Sequence, residues 1–485
     1  MNDVVVVGSG PNGLSAAVTL ARVGLSVTVL EAQPTPGGGA RTLDLGLADG
    51  VVHDVCSAVH PMAWASPFFR AFDLPAHGVE LLTPEVSYAQ PLPGGRAGIA
   101  YRDLDRTLGR LGVDGPAWRR LLGPLAARWD AVVGVAMGDK RSLPPGADDV
   151  GGLVTAARFG AGLLEQGTRA WGSRFRTAEA AALLTGVGAH AITPLPSLAA
   201  AGTALLLATL GHAGAGWPIP RGGSGAITAA LLADLAAHGG TVVTDHPVRT
   251  RADLPPARAY LFDTDPATLV RVLGAVLRPA RRRALTAFPR GNAAAKVDLV
   301  LSGPVPWTDP EVGLAGTVHV GGTRTEMVGA EGAVAAGRHA ETPMCLVSDP
   351  AVVDTTREVR GLRPLWAYAH VPAGSTRDVT QDVLGRLERF APGVRDVVVA
   401  SRCTPAAEMA HHNPSLVGGD IAGGSPDLWR MIARPTPTAN PYRQAGGVFL
   451  CSASTPPGPG VHGMAGHHAA RRAARDVFGL RLPTL

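Results

Sequence analysis

Cysteine is scarce in this sequence. Cys56, Cys345, Cys403 and Cys451 are spread along 485 residues with no CxxC pair. That spacing argues against a disulfide framework and a cysteine-ligated zinc site, and it suits a reducing cytoplasm. Aromatic residues make up only 5% of the chain, and the net charge is only +5. No basic stripe interleaves with aromatics, so the footprint of a nucleic-acid binder is missing. The one dense cationic run, Arg281-Arg282-Arg283, reads as a solvated helix end. No apolar stretch of about 20 residues is free of turn formers, so no transmembrane helix is expected. The longest candidate, Leu198–Leu210, is 13 residues long and too short to span a bilayer. A signal peptide is not expected either, because the apolar run after Asp3 enters a glycine motif rather than a cleavage site.

What is present is ample material for a large core, with 46% hydrophobic residues and only 17% charged. The 62 glycines and 41 prolines suit a fold with many tight turns. The length predicts two or three domains.

The N-terminal forty residues are the most explicit. Val4–Val7 is a continuous apolar run, as expected of a strand buried on both faces of a parallel sheet. It runs into Gly8-Ser9-Gly10-Pro11-Asn12-Gly13, and a helical pattern follows over Leu14–Val23, with Gly24 as its C-cap. A second strand, Ser26–Leu30, ends in Glu31. Each part has a task in holding a dinucleotide. Gly8 permits the turn, Gly10 admits the pyrophosphate to the backbone, and Gly13 lets helix and strand pack closely. The helix N-terminus offers N–H groups and a positive dipole end. Glu31 can accept hydrogen bonds from ribose hydroxyls, and an acid there argues against a 2′-phosphate.

Past Glu31 and Ala32 comes a second glycine cluster, Gly37-Gly38-Gly39-Ala40-Arg41-Thr42. It resembles the extended FAD fingerprint of the amine oxidase and phytoene desaturase superfamily. That resemblance assigns Gly38, Gly39, Arg41 and Thr42 to the cofactor. Further segments are similar to the phytoene desaturase-related FAD oxidoreductases: His53–Pro61, Gly216–Gly223, Lys296–Asp298, Ala315–Gly322, Trp366–Pro372, Gly418–Ile421 and Cys451–Gly458. The resemblance implies that Val248 lies by the adenine. It also implies that the loop Ser452–Gly460 touches the pyrophosphate and ribityl chain, and that the helix starting near Val461-His462-Gly463 faces the flavin. Ser452, Ala453, Gly460, Val461 and His462 are therefore expected at the cofactor. Many relatives carry a Gly-Asp pair where this chain has Ser452-Ala453, so backbone N–H groups or the Ser452 hydroxyl must replace that carboxylate.

The expected fold class is α/β: a Rossmann-like FAD-binding domain with a discontinuous, mixed α+β substrate domain. The FAD domain is expected over 1–60, 216–285 and 436–485, and the substrate domain over 61–215 and 286–435. Leu143-Pro144-Pro145-Gly146 and Arg434–Gly447 read as surface loops.

Three residues are candidates for catalysis. Period-two alternation puts Lys296 and Asp298 on one strand face, as a surface ion pair or with Lys296 near the flavin. His462 is placed where a helix approaches the flavin, to move a proton or cap the helix. His60 has a similar claim. The pairs His411-His412 and His467-His468 lack further ligands for a metal, and Cys451 lacks a redox partner.

The resemblance implies an FAD-dependent oxidoreductase that adds or removes hydrogen across a carbon–carbon bond of an apolar, isoprenoid-like molecule. A reduced-FAD isomerase, an amine oxidase and a non-enzymatic flavin-binding interaction protein are the alternatives. A cytoplasmic chain is expected. Leu198–Leu210 is either an ordinary buried helix, an apolar entry path or a peripheral membrane contact.

Overall fold

Val4, Val5 and Val6 are completely buried, which is what an uninterrupted apolar strand demands of a sheet covered on both faces. In the computed structural model, which describes residues 2–142, 149–483 and 485, this strand is Asn2–Val7 and lies inside a six-stranded sheet. The loop expected at Leu143–Gly146 lies outside the described residues.

Across that sheet the strands run 443–445, 448–450, 257–262, 2–7, 27–30 and 241–243. All neighbours are parallel except the 443–445 and 448–450 pair. The register sets Val7 beside both Leu30 and Phe262, so three strands end together at one edge. The helix Pro11–Ala21 crosses from the first strand to the second. Proline opens it at no cost, because the first-turn N–H groups have no intrahelical partner. This is the Rossmann-like part of an α/β fold, and its strands come from three distant stretches of chain.

The second sheet has seven strands, in the order 398–404, 293–301, 363–371, 345–348, 318–319, 86–92 and 96–101. Its pairs are antiparallel, except that 318–319 runs parallel to 86–92. Helices between residues 104 and 211 cover it. Among them is Leu198–Gly211, whose Leu205, Ala208 and Leu210 are fully buried. No residue of that segment is exposed, and Leu198, Gly202 and Thr203 are half-buried. No helix among the described residues is long and apolar enough to cross a membrane.

A small two-stranded sheet, 42–44 with 52–54, is tied to the Thr355–Arg357 turn by buried polar groups. Arg357 donates to Asp54 Oδ2 and to the Val52 carbonyl, both at 2.9 Å. Asp54 Oδ1 in turn accepts from Thr42 Oγ1 at 2.7 Å and from the Ser224 N–H at 2.8 Å.

Candidate functional site

The site begins where the Asn2–Val7 strand gives way to helix. A Cβ on Gly13 would lie 2.2 Å from the Gly8 carbonyl oxygen, so a side chain at 13 would force the helix off the strand. The first-turn donors are then accounted for one by one. Pro11 has none. Gly13 donates to Asp263 Oδ2 at 2.8 Å, and Leu14 to the Gly10 carbonyl at 2.9 Å. The Asn12 N–H is left without a protein partner among the described residues, and Asn12 Oδ1 is also buried and unpaired. The unpaired N–H at this helix N-terminus is what an anionic ligand satisfies, whereas Oδ1 is an acceptor and calls for a donor such as a hydroxyl.

Glu31 is held by the same turn. The Ser9 N–H and hydroxyl donate to Oε2 at 2.9 and 2.5 Å, and the Gln33 N–H donates to Oε1 at 2.9 Å. A carboxylate has about four lone-pair directions, so capacity remains for ribose hydroxyls. The Gly37 N–H donates to Ser9 Oγ at 3.0 Å, which ties the second glycine cluster to the first. The approach is close: a Cβ on Gly38 would stand 2.8 Å from Gly10 Cα.

These groups open onto a cavity of about 1450 Å³. Drug-sized ligands occupy roughly 300–1,000 Å³, so this one has room for a dinucleotide and a second molecule. Its wall includes Gly8, Gly10, Pro11, Asn12, Glu31 and Ala32, then Gly38, Gly39 and Val248. Ser452, Ala453, Gly460 and Val461 bring the C-terminal loop to the same cavity. Ser452 Oγ accepts from the Ser454 N–H at 3.3 Å, and its own proton remains available where relatives place a carboxylate.

Other residues named from the sequence stand behind this wall rather than on it. Gly13 is a packing residue. Arg41 does not line the cavity; its guanidinium donates to the carbonyls of Gly38, at 2.8 Å, and His412 and to Thr35 Oγ1 at 3.1 Å, knotting the glycine loop. Thr42 joins Asp54 to the Gly225 N–H, at 2.9 Å from the latter.

The catalytic candidates separate in the same way. Lys296 and Asp298 do pair, but the pair is buried rather than at the surface, and neither lines the cavity. Asp298 is also 3.4 Å from His53 Nδ1. His462 lies off the wall too. Its Nδ1 accepts the Met464 N–H at 3.0 Å, which places the ring proton on Nε2, where it is donated to the Gly458 carbonyl at 3.1 Å. Both nitrogens are spent on the loop, and burial lowers the ring to about 4. His60 does line the cavity. Its Nε2 meets Ser224 Oγ at 2.7 Å, Nδ1 is unpaired, and burial lowers it to about 4.

Asp263 was not singled out from the sequence. It follows the Ala257–Phe262 strand, and the Val7 to Phe262 register brings it under the glycine turn. Burial, opposed by the Gly13 N–H and reinforced by the nearby Glu31 charge, pushes its carboxyl up to about 7. No group of three or more potential metal ligands occurs among the described residues.

FAD fits these residues. An unpaired N–H at a helix N-terminus suits its pyrophosphate, a positioned carboxylate suits its ribose, and the cavity continues past the C-terminal loop toward the second sheet. Residues 6–73 match the NAD(P)-binding Rossmann-like domain family. The chain is 27% identical to an uncharacterised protein of Mycobacterium tuberculosis, with 96% of each chain covered. It is 36% identical to the all-trans-zeta-carotene desaturase of Myxococcus xanthus over 118 residues, 24% of this chain and 22% of that one. The fold is that of cyclohexylamine oxidase from Brevibacterium oxydans, with a TM-score of 0.58 at 16% identity and 98% of each chain covered. Motif, strand order and sequence matches together support an FAD-dependent oxidoreductase, similar to the amine oxidase/carotenoid desaturase superfamily.

Proposed function

We propose that this oxidoreductase transfers hydrogen to or from a carbon–carbon bond in a neutral, largely apolar molecule. One observation carries the reading. The cavity wall formed by residues 150–211, together with Trp217, Thr317, Leu346, Trp366 and Tyr368, contains no aspartate or glutamate among its described residues. An ammonium substrate gains most from a carboxylate in exchange for its hydration; Trp217, Trp366 and Tyr368 offer only ring faces here, and the cavity's Asp139 is already paired with Arg472 at 2.8 Å. Here the wall is mostly aliphatic, with Leu198, Gly202, Leu206 and Leu207 from one helix facing Phe159 and Leu163 from another. Bound FAD supplies the hydride acceptor or donor. The chain's part is to hold the substrate, orient it and keep water out, which by itself is a large share of the work in such a transfer. The unpaired His60 Nδ1 offers a neutral lone pair beside the cavity for the accompanying proton.

Exposed Val150, Leu153 and Val154 supply an apolar outer face on the Val150–Gln166 helix, whose Ala156, Phe159 and Leu163 line the cavity. Delivery of substrate from a lipid surface is part of the proposal.

The test is anaerobic. The flavin-loaded protein is mixed with a polyene in detergent micelles and, separately, with a primary alkylamine. Flavin bleaching by the polyene alone, or reoxidation of reduced flavin by it, supports the reading. Bleaching by the amine alone returns the chain to the amine oxidase alternative.

A further inference from the structure

The cavity wall against the seven-stranded sheet has one distinctive polar feature. His190, next to the Ala178–Ala189 helix, meets His319 of the Val318–His319 strand with Nε2 to Nε2 at 2.8 Å. Trp217 stands edge-on to both rings, at 5.6 and 5.9 Å. The helix can approach only because residue 186 is glycine. A Cβ there would come 2.9 Å from His319 Cβ and 2.3 Å from Gln90 Oε1. His190 lines the cavity and His319 does not.

One proton lies between the two Nε2 atoms, and its owner follows from the atom left over. If His190 donated, neutral His319 would carry its own proton on Nδ1, which is buried with no partner. If His319 donates, the stranded atom is a bare lone pair. Orphaned buried N–H groups are rarer than under-satisfied acceptors, so the second arrangement wins. It puts the proton of His190 on Nδ1, an atom with no partner among the described residues. Burial also keeps both rings neutral, lowering His190 to about 3 and His319 well below its ordinary value.

We propose that His190 Nδ1–H, fixed in this tautomer by His319, donates a hydrogen bond to the substrate, and that the substrate is therefore an apolar molecule bearing a neutral oxygen acceptor. Thr317 lies two residues before His319, on the same face of the chain, and its buried Oγ1 is unpaired at the same wall. The inference rests on the reading of this cavity as the substrate site. His319 acts through His190 and is a positioning residue.

The test uses the whole protein as purified and three probes of one chain length: 2-dodecanone, dodecane and dodecylammonium, each measured by equilibrium dialysis. The ketone should bind about 5- to 10-fold more tightly than the alkane, the usual worth of one hydrogen bond. Dodecylammonium, which has donors but no acceptor, should bind most weakly. His190→Phe keeps an aromatic ring and removes the donor. It should abolish the preference for the ketone while leaving alkane affinity within about twofold, since the apolar contacts remain. Should that variant fail to fold, His319→Phe frees the His190 tautomer and should shrink the preference. Equal binding of ketone and alkane by the unaltered protein, tightest binding of the ammonium, no binding of any probe, or a preference that survives His190→Phe overturns the proposal. A failure of the oxidoreductase reading shows separately, as flavin that no polyene bleaches, and leaves the three affinities to be read on their own.

Discussion

Asp263 sits under the glycine turn with its carboxyl raised to about 7, so its charge changes in the physiological range. Two consequences follow, each with a definite sign. In folding, a carboxyl raised above its ordinary 3.8 contributes fully below that value and loses the contribution as pH rises through about 7. In binding, a doubly negative pyrophosphate favours the protonated form. FAD affinity should therefore be highest below about 7 and fall as pH rises above it. Asp263→Asn should flatten that dependence and make the apoprotein more stable at pH 8 than the parent. Fluorescence titration of FAD across pH checks the first, and thermal melting of the two apoproteins checks the second. Glu31→Gln disturbs a different term. Oε1 and Oε2 both accept N–H donors, and an amide can reproduce only one of them. Loss of one charge-assisted bond is worth about 1.5–3 kcal/mol, so FAD affinity should fall roughly 10- to 150-fold in the same titration.

At the scale of elements, the Leu198–Gly211 helix shows how one apolar segment does two jobs. One side packs into the core, and residues 198, 199, 202, 203, 206 and 207 face the cavity at helical spacing. Gly202 has open space on that side, where an added Cβ would meet Leu163 Cδ1 at 3.6 Å. Gly202→Phe should therefore fold and bind flavin as before, while filling part of the substrate space. Bleaching by polyene should slow at least tenfold, with the flavin spectrum unchanged. The sequence showed this segment as apolar and too short to span a membrane, but apolarity alone does not say which side is core and which is cavity. The parallel sheet was far more legible. Strands 4–7 and 27–30 are short continuous runs that end in a glycine turn and in Glu31, and they lie where the sequence put them. What could not be read was direction. His462 was expected where a helix approaches the flavin, yet its ring turns to Gly458 and Met464 because of a loop path that no periodicity encodes. Period-two alternation correctly joined Lys296 to Asp298 but could not tell an inner face from an outer one. His190 and Asp263 were missed for a common reason. Each matters through a contact with residues more than a hundred positions away.

In the molecule as a whole, cofactor and substrate regions must keep a fixed relation if hydrogen is to pass between them. The Arg357 to Asp54 ion pair is one tie between the two, fully enclosed and shared with Thr42 and Ser224. Arg357→Ala would leave Asp54 buried beside two remaining donors with its charge unmatched. A cost of about 3–5 kcal/mol is expected in chemical denaturation, the usual penalty for removing one partner of a buried pair. The wider claim is that three distant stretches of chain, around Gly8–Gly13, Val248–Asp263 and Ser452–Val461, build one FAD site. The most direct measurement is the flavin content of the purified protein, and of the apoprotein after incubation with FAD. Equimolar FAD, released intact by denaturation, is the predicted result. A colourless protein that takes up no FAD would contradict the assignment of the site.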